Sequence, residues 1–247
     1  MKRYLIIGYG AAGYLLFLVA TLYAIGFVGA IVVPRNIDHG IDGPIWLAVL
    51  VNVALLGLFG IQHSVMARPG FKRWWTRFVP KTVERSTYVL LASAILLLLF
   101  LQWRTMPAVI WTCSIRPPGW CCGAVRAGVG GRVCLVVHGQ PFRPARSAQV
   151  YLAWREKPYT EINFRVNFYY RVVRHPLMLG FIIAFWATPT MTAGHLLFAI
   201  VTTAYVLVAL PLEERDLVAA LGDQYRDYQR SVPLGTDVAA GTAPRLG

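Results

Sequence analysis

A stretch of 30 uncharged residues near the amino terminus, from Tyr4 to Val33, constrains the fold of this chain more than any other feature. A helix of about 20 apolar residues is long enough to cross the hydrocarbon core of a bilayer. Basic residues precede the stretch, as they do in a signal peptide, but the apolar region of a signal peptide has only about 7 to 15 residues. We therefore predict a spanning helix that is not cleaved.

The apolar character extends along the chain. Hydrophobic residues make up 57% of the sequence and charged residues only 14%, whereas soluble domains carry about 25% charged residues. The mean hydropathy is +0.53. These values exclude a disordered chain and indicate side chains that face lipid.

Four more apolar blocks follow the first stretch. They are Ile45 to Met66, Ser86 to Trp103, Pro176 to Pro189 and Leu196 to Leu212. Residues 190–195 join the last two blocks in the pattern of a tight helical hairpin, and the block that begins at Pro176 is short for a span, as a tilted helix facing protein would be. The predicted fold class is all-α, a polytopic membrane helix bundle with five recognisable spans.

The basic residues indicate the orientation of the bundle. The formal net charge is +13, and six basic residues fall between the second and third spans: Arg68, Lys72, Arg73, Arg77, Lys81 and Arg85. The preceding loop has one arginine and two aspartates. The positive-inside rule places the basic loop and both termini in the cytoplasm, and it makes nucleic-acid binding unnecessary as an explanation of the charge.

Residues 113–148 do not fit this pattern. The window has five arginines, six glycines, four prolines and no acidic residue. It also holds every cysteine of the chain, Cys113, Cys121, Cys122 and Cys134, in a spacing that signals neither a zinc site nor a disulfide framework. Basic residues return between positions 151 and 174, so one membrane crossing is missing.

We hypothesise that a compensated shift of the reading frame, or a sequencing error, replaces a sixth span at 113–148. Read one nucleotide later, the codons of residues 138–142 can encode Met-Val-Ser-His-Phe followed by an acidic residue. The alternative is a genuine Arg/Gly-rich loop outside the membrane, which leaves the charge distribution unexplained. The predicted regions are a three-helix part (1–112), the anomalous window (113–148), a helical hairpin with a cytoplasmic tail (149–235) and a disordered carboxyl terminus (236–247).

The densest chemical signal begins at Arg174, His175 and Pro176. Proline suits the first turn of a helix, so the backbone amides that follow it would point toward the cytoplasmic side and favour an anion. Arg174 adds a forked donor for a carboxylate. Gly180, about one turn further, would let a ligand or a helix approach the backbone closely.

Glu213 and Glu214 close the last span, where a carboxylate near hydrocarbon is costly unless it is hydrated, paired or used on a ligand. They are candidates for binding ribose hydroxyls or a cation. The alternative for the whole set is a basic interface followed by a solvated helix.

The histidines allow one further interpretation. His63 and His175 could both ligate haem, since imidazole serves such sites. His195 in the hairpin turn and His39 in an outer loop are expected to be solvent-exposed polar residues.

In order, these motifs resemble the membrane methyltransferases of the isoprenylcysteine carboxyl methyltransferase type. An Arg-His-Pro turn opens a hairpin, a Glu-Glu pair closes it, and a tyrosine-rich tail ends in Val-Pro, over residues 151–235. The family usually has a tyrosine two residues after the proline, where this chain has Met178.

A closer resemblance covers nearly the whole chain except the anomalous window. The stretches Tyr23 to Gly29, Gln62 to Arg68 and Thr188 to Thr192 are similar to the methanethiol S-methyltransferases of the NnrU-like family. These enzymes carry a Ser/Asn-His-Phe-Asp motif before a Gly-Leu-Arg-Gln-Val stretch, at the place of residues 138–150 here. The back-translation restores most of that motif, which supports the hypothesis of a shifted frame.

The resemblance implies methyl transfer from S-adenosylmethionine to the sulfur of methanethiol, a small apolar thiol, without a metal. By the same resemblance, Arg174, His175, Pro176 and Gly180 would hold the amino-acid end of the methyl donor, with Glu213 and Glu214 near its adenosine or sulfonium side. Tyr170, Tyr225 and Tyr228 are further candidates for lining the site. His175 is the candidate catalytic base.

Two alternatives remain open at this stage. One is a methyltransferase for another thiol or for a prenylcysteine carboxylate. The other is a non-enzymatic NnrU-like membrane protein that binds haem or assists assembly of a redox complex.

Overall fold

The computed structural model of the chain describes residues 2–112 and 168–234. The predictions for 113–148 and for 236–247 lie outside the described residues. The described elements are α1 (Lys2–Gly29), α2 (Ile45–Ala67), α3 (Pro69–Trp75), α4 (Lys81–Gln102), β1 (Val109–Thr112), a 3₁₀ turn (Phe168–Arg171), α5 (Pro176–Trp186), β2 (Thr190–Thr192), α6 (Ala193–Leu221) and α7 (Asp223–Ser231).

Four of these helices are long and apolar enough to cross a membrane. Their candidate spans are Tyr4–Gly29, Ile45–Ala67, Thr82–Gln102 and Ala193–Leu221. Each coincides with a predicted apolar block to within a few residues, except that α6 continues past Leu212. The prediction of a polytopic membrane helix bundle is confirmed in this form. Helix α5 has 11 residues, so it extends only about 16 Å.

A small sheet departs from the predicted all-α class. Strands β1 and β2 pair antiparallel, with Val109 opposite Thr192 and Thr112 opposite Thr190. The turn between the predicted hairpin helices therefore contains a strand. Its threonines favour extended backbone, and Thr192 then caps α6 by accepting a hydrogen bond from the His195 N–H over 3.2 Å.

The helices pack in an order that differs from their sequence order. Helix α4 lies between α1 and α2, and α6 lies between α2 and α5. Aromatic and aliphatic side chains fill the space where α1, α2, α4 and α6 meet. The buried members of this core are Phe27, Ile37, Leu56, Leu99, Phe100, Trp103 and Phe198.

One end of the bundle is closed by loops that bond to α2 and α4, and we call it the Trp103 end. The Trp103 indole N–H donates to the Ile37 carbonyl over 3.0 Å. The Asn52 amide donates to the Arg104 carbonyl and accepts from the Arg104 N–H, at 2.9 and 3.0 Å. Because Asn52 is fully buried, both halves of its amide need such partners.

His195 lies at the Trp103 end and corrects one prediction. Its side chain is 1% exposed, and its Nε2 lies 2.9 Å from the carbonyl oxygen of Phe185. The prediction that His195 is solvent-exposed is wrong, because α5 and the β1–β2 pair cover the start of α6. His39 is exposed as predicted.

Candidate functional site

The candidate site lies at the end of α6 opposite the Trp103 end. Helix α6 has 29 residues and is therefore about 44 Å long, whereas the hydrocarbon core of a bilayer is about 30 Å thick. If the helix enters the hydrocarbon near its capped start, its last nine or so residues project beyond the opposite boundary. Glu213 and Glu214 begin this projecting part.

The turn before α5 brings Arg174 and His175 to the same place. Pro176 is the first residue of α5 and His175 is its N-cap, with φ −125° and ψ 63°. The Arg174 N–H donates to the Pro233 carbonyl over 3.0 Å. The segment before α5 is thus bonded to the segment that follows α7, and α5 begins at Pro176 as predicted.

Glu214 is the centre of the site. Its Oε1 lies 2.9 Å from Arg174 Nη1 and 3.3 Å from His175 Nε2. Its Oε2 accepts from Gln229 Nε2 over 3.0 Å, and the Tyr225 hydroxyl approaches Oε1 at 3.5 Å. One carboxylate therefore joins the start of α5, the end of α6 and one face of α7.

The charged groups of this cluster are largely removed from solvent. The side chains of Arg174, His175 and Glu214 are 11%, 9% and 15% exposed. Among the described residues, Arg174 Nε is buried without a hydrogen-bond partner. A buried donor without a partner costs about 1 to 3 kcal/mol, so this atom is a place where an anionic ligand would bind favourably.

The tyrosines of α7 form the wall beside Glu214. Tyr225 and Tyr228 are buried and their ring centroids lie 5.7 Å apart. The Tyr228 hydroxyl donates to the Tyr170 carbonyl over 2.6 Å. Burial raises the pKa of Tyr228 to about 12 and, together with the Glu214 charge, raises the pKa of Tyr225. Both phenols are therefore neutral hydrogen-bonding groups at ordinary pH.

The structure brings most of the predicted site residues together. Side-chain or backbone contacts link Arg174, His175, Glu214, Tyr170, Tyr225 and Tyr228. Pro176 and Gly180 lie in the first two turns of α5. Glu213 is exposed, and among the described residues no hydrogen bond or ion pair to its side chain is present.

Sequence reasoning missed one contribution to this site, Gln229, and one ion pair at the same end of α6, between Arg68 and Asp216. Gln229 lies one helical turn after Tyr225 on the same face of α7, a spacing that could have identified it. Asp216, half a turn after Glu214, forms an ion pair with Arg68 Nη1 at 2.8 Å. That pair connects the end of α2 to α6, and the separation of 148 residues left no local signal. We call this end of the bundle the Arg68 end.

The two histidines proposed as haem ligands have other partners. His63 Nδ1 lies 2.9 Å from the Tyr88 hydroxyl, and the His63 ring stacks on Phe59. His175 contacts Glu214. No group of three or more His, Cys, Asp or Glu side chains suited to a metal ion is present within residues 2–112 and 168–234.

Known proteins that share one name are similar to this chain over nearly its whole length. The chain is 62% identical over 246 residues to methanethiol S-methyltransferase of Mycobacterium tuberculosis (strain ATCC 25618 / H37Rv), covering 95% of this chain and 96% of that protein. It is 47% identical to methanethiol S-methyltransferase 2 of Bradyrhizobium diazoefficiens, covering 94% and 90% of the two chains.

A more distant similarity is to nurim of Mus musculus, 26% identical over 71% of this chain and 70% of that protein. No family model matches the chain, and no solved structure matches it.

Proposed function

The chain belongs to the methanethiol S-methyltransferase family, and we propose that it transfers a methyl group from S-adenosylmethionine to the sulfur of methanethiol within a multi-pass membrane protein. The identity of 62% over almost the full length of a relative carries this proposal. The buried Arg174–Glu214 cluster is where we place the reaction.

The chemistry is a single displacement. The methanethiol sulfur forms a bond to the methyl carbon while the bond from that carbon to the sulfonium sulfur breaks, giving dimethyl sulfide and S-adenosylhomocysteine. The thiol loses its proton, and the electron pair of the broken bond stays on the former sulfonium sulfur. Alignment of the thiol sulfur, methyl carbon and sulfonium sulfur supplies much of the acceleration. Because the thiolate and sulfonium charges cancel as the bond forms, a site with little water also favours the reaction.

The donor's charges match the charges of the cluster. S-adenosylmethionine carries a carboxylate, an ammonium and a sulfonium. Arg174, whose Nε is buried without a partner among the described residues, suits the carboxylate, and the first amides of α5 after Pro176 add partial positive charge. Glu214 suits the cationic side of the donor or its ribose hydroxyls, and Tyr225 and Tyr228 line the site.

His175 is the proposed base for the thiol proton. Its Nε2 faces Glu214 Oε1 at 3.3 Å, so a proton on Nε2 donates to the carboxylate and leaves Nδ1 as the acceptor. Only the thiolate is strongly nucleophilic. A His175→Gln enzyme should therefore recover rate as the pH rises and solution supplies the thiolate, whereas the rate of an Arg174→Gln enzyme should stay low.

We propose that the Arg68 end of the bundle faces the cytoplasm, together with both termini. The positive-inside rule supports this orientation, and the Arg68–Asp216 ion pair supports placing the basic loop at the same end as Glu214. Reporter fusions after residues 80 and 234 test it: a fluorescent cytoplasmic reporter should be active at both positions, and activity of a periplasmic reporter there would contradict the orientation.

A sixth crossing between these ends remains our proposal for the intact-frame protein. The described residues before the gap end at β1, which pairs with β2 at the Trp103 end. Those after it begin at the 3₁₀ turn, whose Tyr170 carbonyl accepts from Tyr228 at the Arg68 end. A chain that joins opposite ends of the bundle needs one membrane crossing.

The activity is tested with membranes that contain the protein. Methyl-labelled S-adenosylmethionine and methanethiol are added, and the headspace is analysed for labelled dimethyl sulfide. We expect label with the intact-frame protein, impaired activity with the chain as its sequence stands, and no label with membranes of the host alone. Folded intact-frame protein that binds the donor but yields no label would contradict the proposed acceptor.

Competition between acceptors tests substrate size. Methanethiol, a longer alkanethiol and a prenylcysteine are offered to the same membranes. Preferential methylation of methanethiol is the expected result, and a clear preference for the prenylcysteine would assign a different acceptor to the site.

A further inference from the structure

A short amphipathic segment between two spanning helices forms a surface that the proposed reaction does not use. Helix α3 (Pro69–Trp75) and the turn after it connect the end of α2 to the start of α4 over residues 69–80. Because both neighbours span the membrane and the connection has only 12 residues, the segment must lie at the bilayer boundary.

The aromatic side chains of this segment share one face. Phe71, Trp74, Trp75 and Phe78 have neighbouring ring centroids 5.4 to 6.1 Å apart. Trp74 is 49% exposed and Phe78 is 70% exposed. Exposed aromatic rings at the end of a span are typical of the interfacial zone, where the ring contacts acyl chains and lies at headgroup depth.

The basic side chains lie on the other face. Lys72, Arg73 and Arg77 are exposed, and no acidic residue occurs between positions 69 and 80. Among the described residues none of the three forms an ion pair. They differ in this from Arg226 and Arg230 of α7, which pair with Asp223 and Asp227 at 2.9 and 3.3 Å.

From this juxtaposition we propose that residues 69–80 form a binding surface for the headgroups of anionic phospholipids. The aromatic face sets the depth of the segment in the interface, and Lys72, Arg73 and Arg77 are then held at the height of the lipid phosphates. Basic residues near an anionic bilayer gain roughly 1 kcal/mol each, or about a fivefold preference. A second charge on the lipid headgroup is not required, so phosphatidylglycerol is a sufficient ligand.

Spin-labelled lipids test the surface without any measurement of methyl transfer. The protein is reconstituted in phosphatidylcholine vesicles with trace spin-labelled phosphatidylglycerol or phosphatidylcholine. Electron paramagnetic resonance then gives the fraction of each lipid that is immobilised by protein. We expect phosphatidylglycerol to be selected over phosphatidylcholine, and we expect added salt to reduce the selection because it screens exposed charges.

Two matched double variants decide whether the selection comes from this surface. Arg73→Gln/Arg77→Gln removes two unpaired arginines and should lower the selectivity ratio by about twofold, because averaging over all boundary lipids reduces the local fivefold effect of each arginine. Arg226→Gln/Arg230→Gln removes two arginines that already have carboxylate partners, and it should leave the ratio unchanged.

A charge-conserving variant controls for misfolding. Arg73→Lys/Arg77→Lys keeps both charges and should retain the selectivity of the parent protein. An unchanged ratio in Arg73→Gln/Arg77→Gln, or equal falls in the two glutamine variants, would overturn the proposal. Because the lipid measurement uses neither the methyl donor nor the acceptor, its result is independent of the proposed reaction.

Discussion

Replacement of Glu214 by glutamine is the most informative perturbation of the site. Glutamine keeps the size of the side chain but removes its charge and replaces one acceptor oxygen with a donor. Arg174 Nη1 contacts both carboxylate oxygens, Oε1 at 2.9 Å and Oε2 at 3.2 Å. His175 and Tyr225 approach Oε1, and Gln229 donates to Oε2. With the remaining oxygen at the Oε1 position, the new NH₂ group would face Gln229 and Arg174 Nη1. The Gln229 amide can rotate to present its oxygen, whereas the guanidinium has only donors.

The expected cost follows from the burial of Arg174. The substitution leaves its guanidinium, which is 11% exposed, without a counter-charge. Loss of one partner from a buried ion pair costs about 3 to 5 kcal/mol, and the retained hydrogen bonds place Glu214→Gln near the lower value, at about 3 kcal/mol. If the charge also faces the methyl donor, affinity for S-adenosylmethionine should fall by about 10- to 100-fold.

Asp227→Asn provides the matched control. Asp227 lies on α7, its side chain is 72% exposed, and it pairs with Arg230 at 3.3 Å. An exposed substitution of this kind usually changes stability by no more than about 0.5 kcal/mol, so its effect on donor affinity should be negligible.

Calorimetric titration of S-adenosylmethionine into the detergent-solubilised variants gives the affinities. Thermal unfolding midpoints at one fixed scan rate compare their stabilities. Equal donor affinity in Glu214→Gln and Asp227→Asn would refute the assignment of Glu214 to the donor. An unfolding midpoint for Glu214→Gln equal to that of the parent protein would refute the buried ion-pair cluster itself.

Three further predictions concern other parts of the chain. Arg68→Gln and Asp216→Asn should each lower the unfolding midpoint, and the double variant should lower it by less than the sum, because the two side chains form one ion pair at 2.8 Å between the end of α2 and α6. Additive losses would contradict this. Tyr228→Phe should be less stable than the parent protein below pH 10, and the difference in unfolding midpoint should shrink between about pH 10 and 12. The reason is that the pKa of Tyr228 is raised to about 12 in the folded protein, so the phenol of the unfolded chain ionises first and the stabilisation by the neutral phenol is lost as the pH rises. A constant difference would show that the pKa of this phenol is not raised. The nucleotide sequence of codons 106–155 should contain, in a neighbouring frame, an apolar helix that ends in His-Phe-Asp, and its absence from all frames would identify residues 113–148 as a genuine divergent segment.

The spanning helices could be predicted because the bilayer imposes a simple rule on sequence. A backbone in hydrocarbon must satisfy its own hydrogen bonds, so long apolar blocks become helices. The blocks beginning near Tyr4, Ile45 and Ser86 agree with α1, α2 and α4 to within a few residues. The extension of α6 past Leu212 was not apparent, because charged residues continue a helix as readily as they end a span.

The site could be predicted in part because its residues lie at helix ends. Pro176 marks the start of α5, and a carboxylate pair after an apolar block requires partners. The sequence did not distinguish Glu214, which is 15% exposed in its side chain, from the exposed Glu213. That distinction depends on the rotation of α6 against α5 and α7, which only tertiary packing determines.

Contacts between distant segments account for what the sequence did not reveal. The pairing of β1 with β2 joins segments about 80 residues apart, and it buries His195, which was expected to be exposed. Similarly, the bond from Asn52 to Arg104 joins the third turn of α2 to the segment that follows α4. Local periodicity does not indicate such contacts, since each depends on how residues far apart in the sequence pack at the Trp103 end.

The most direct test of the central claim is to locate the bound methyl donor in the chain. The purified protein is irradiated with ultraviolet light in the presence of labelled S-adenosylmethionine, digested, and the labelled peptides are identified by mass spectrometry. The account predicts label in peptides from 168–180 or 213–232, and its loss in Glu214→Gln at a donor concentration that labels the parent protein. Saturable label confined to peptides outside both segments would contradict the assignment of the Glu214 cluster as the donor site.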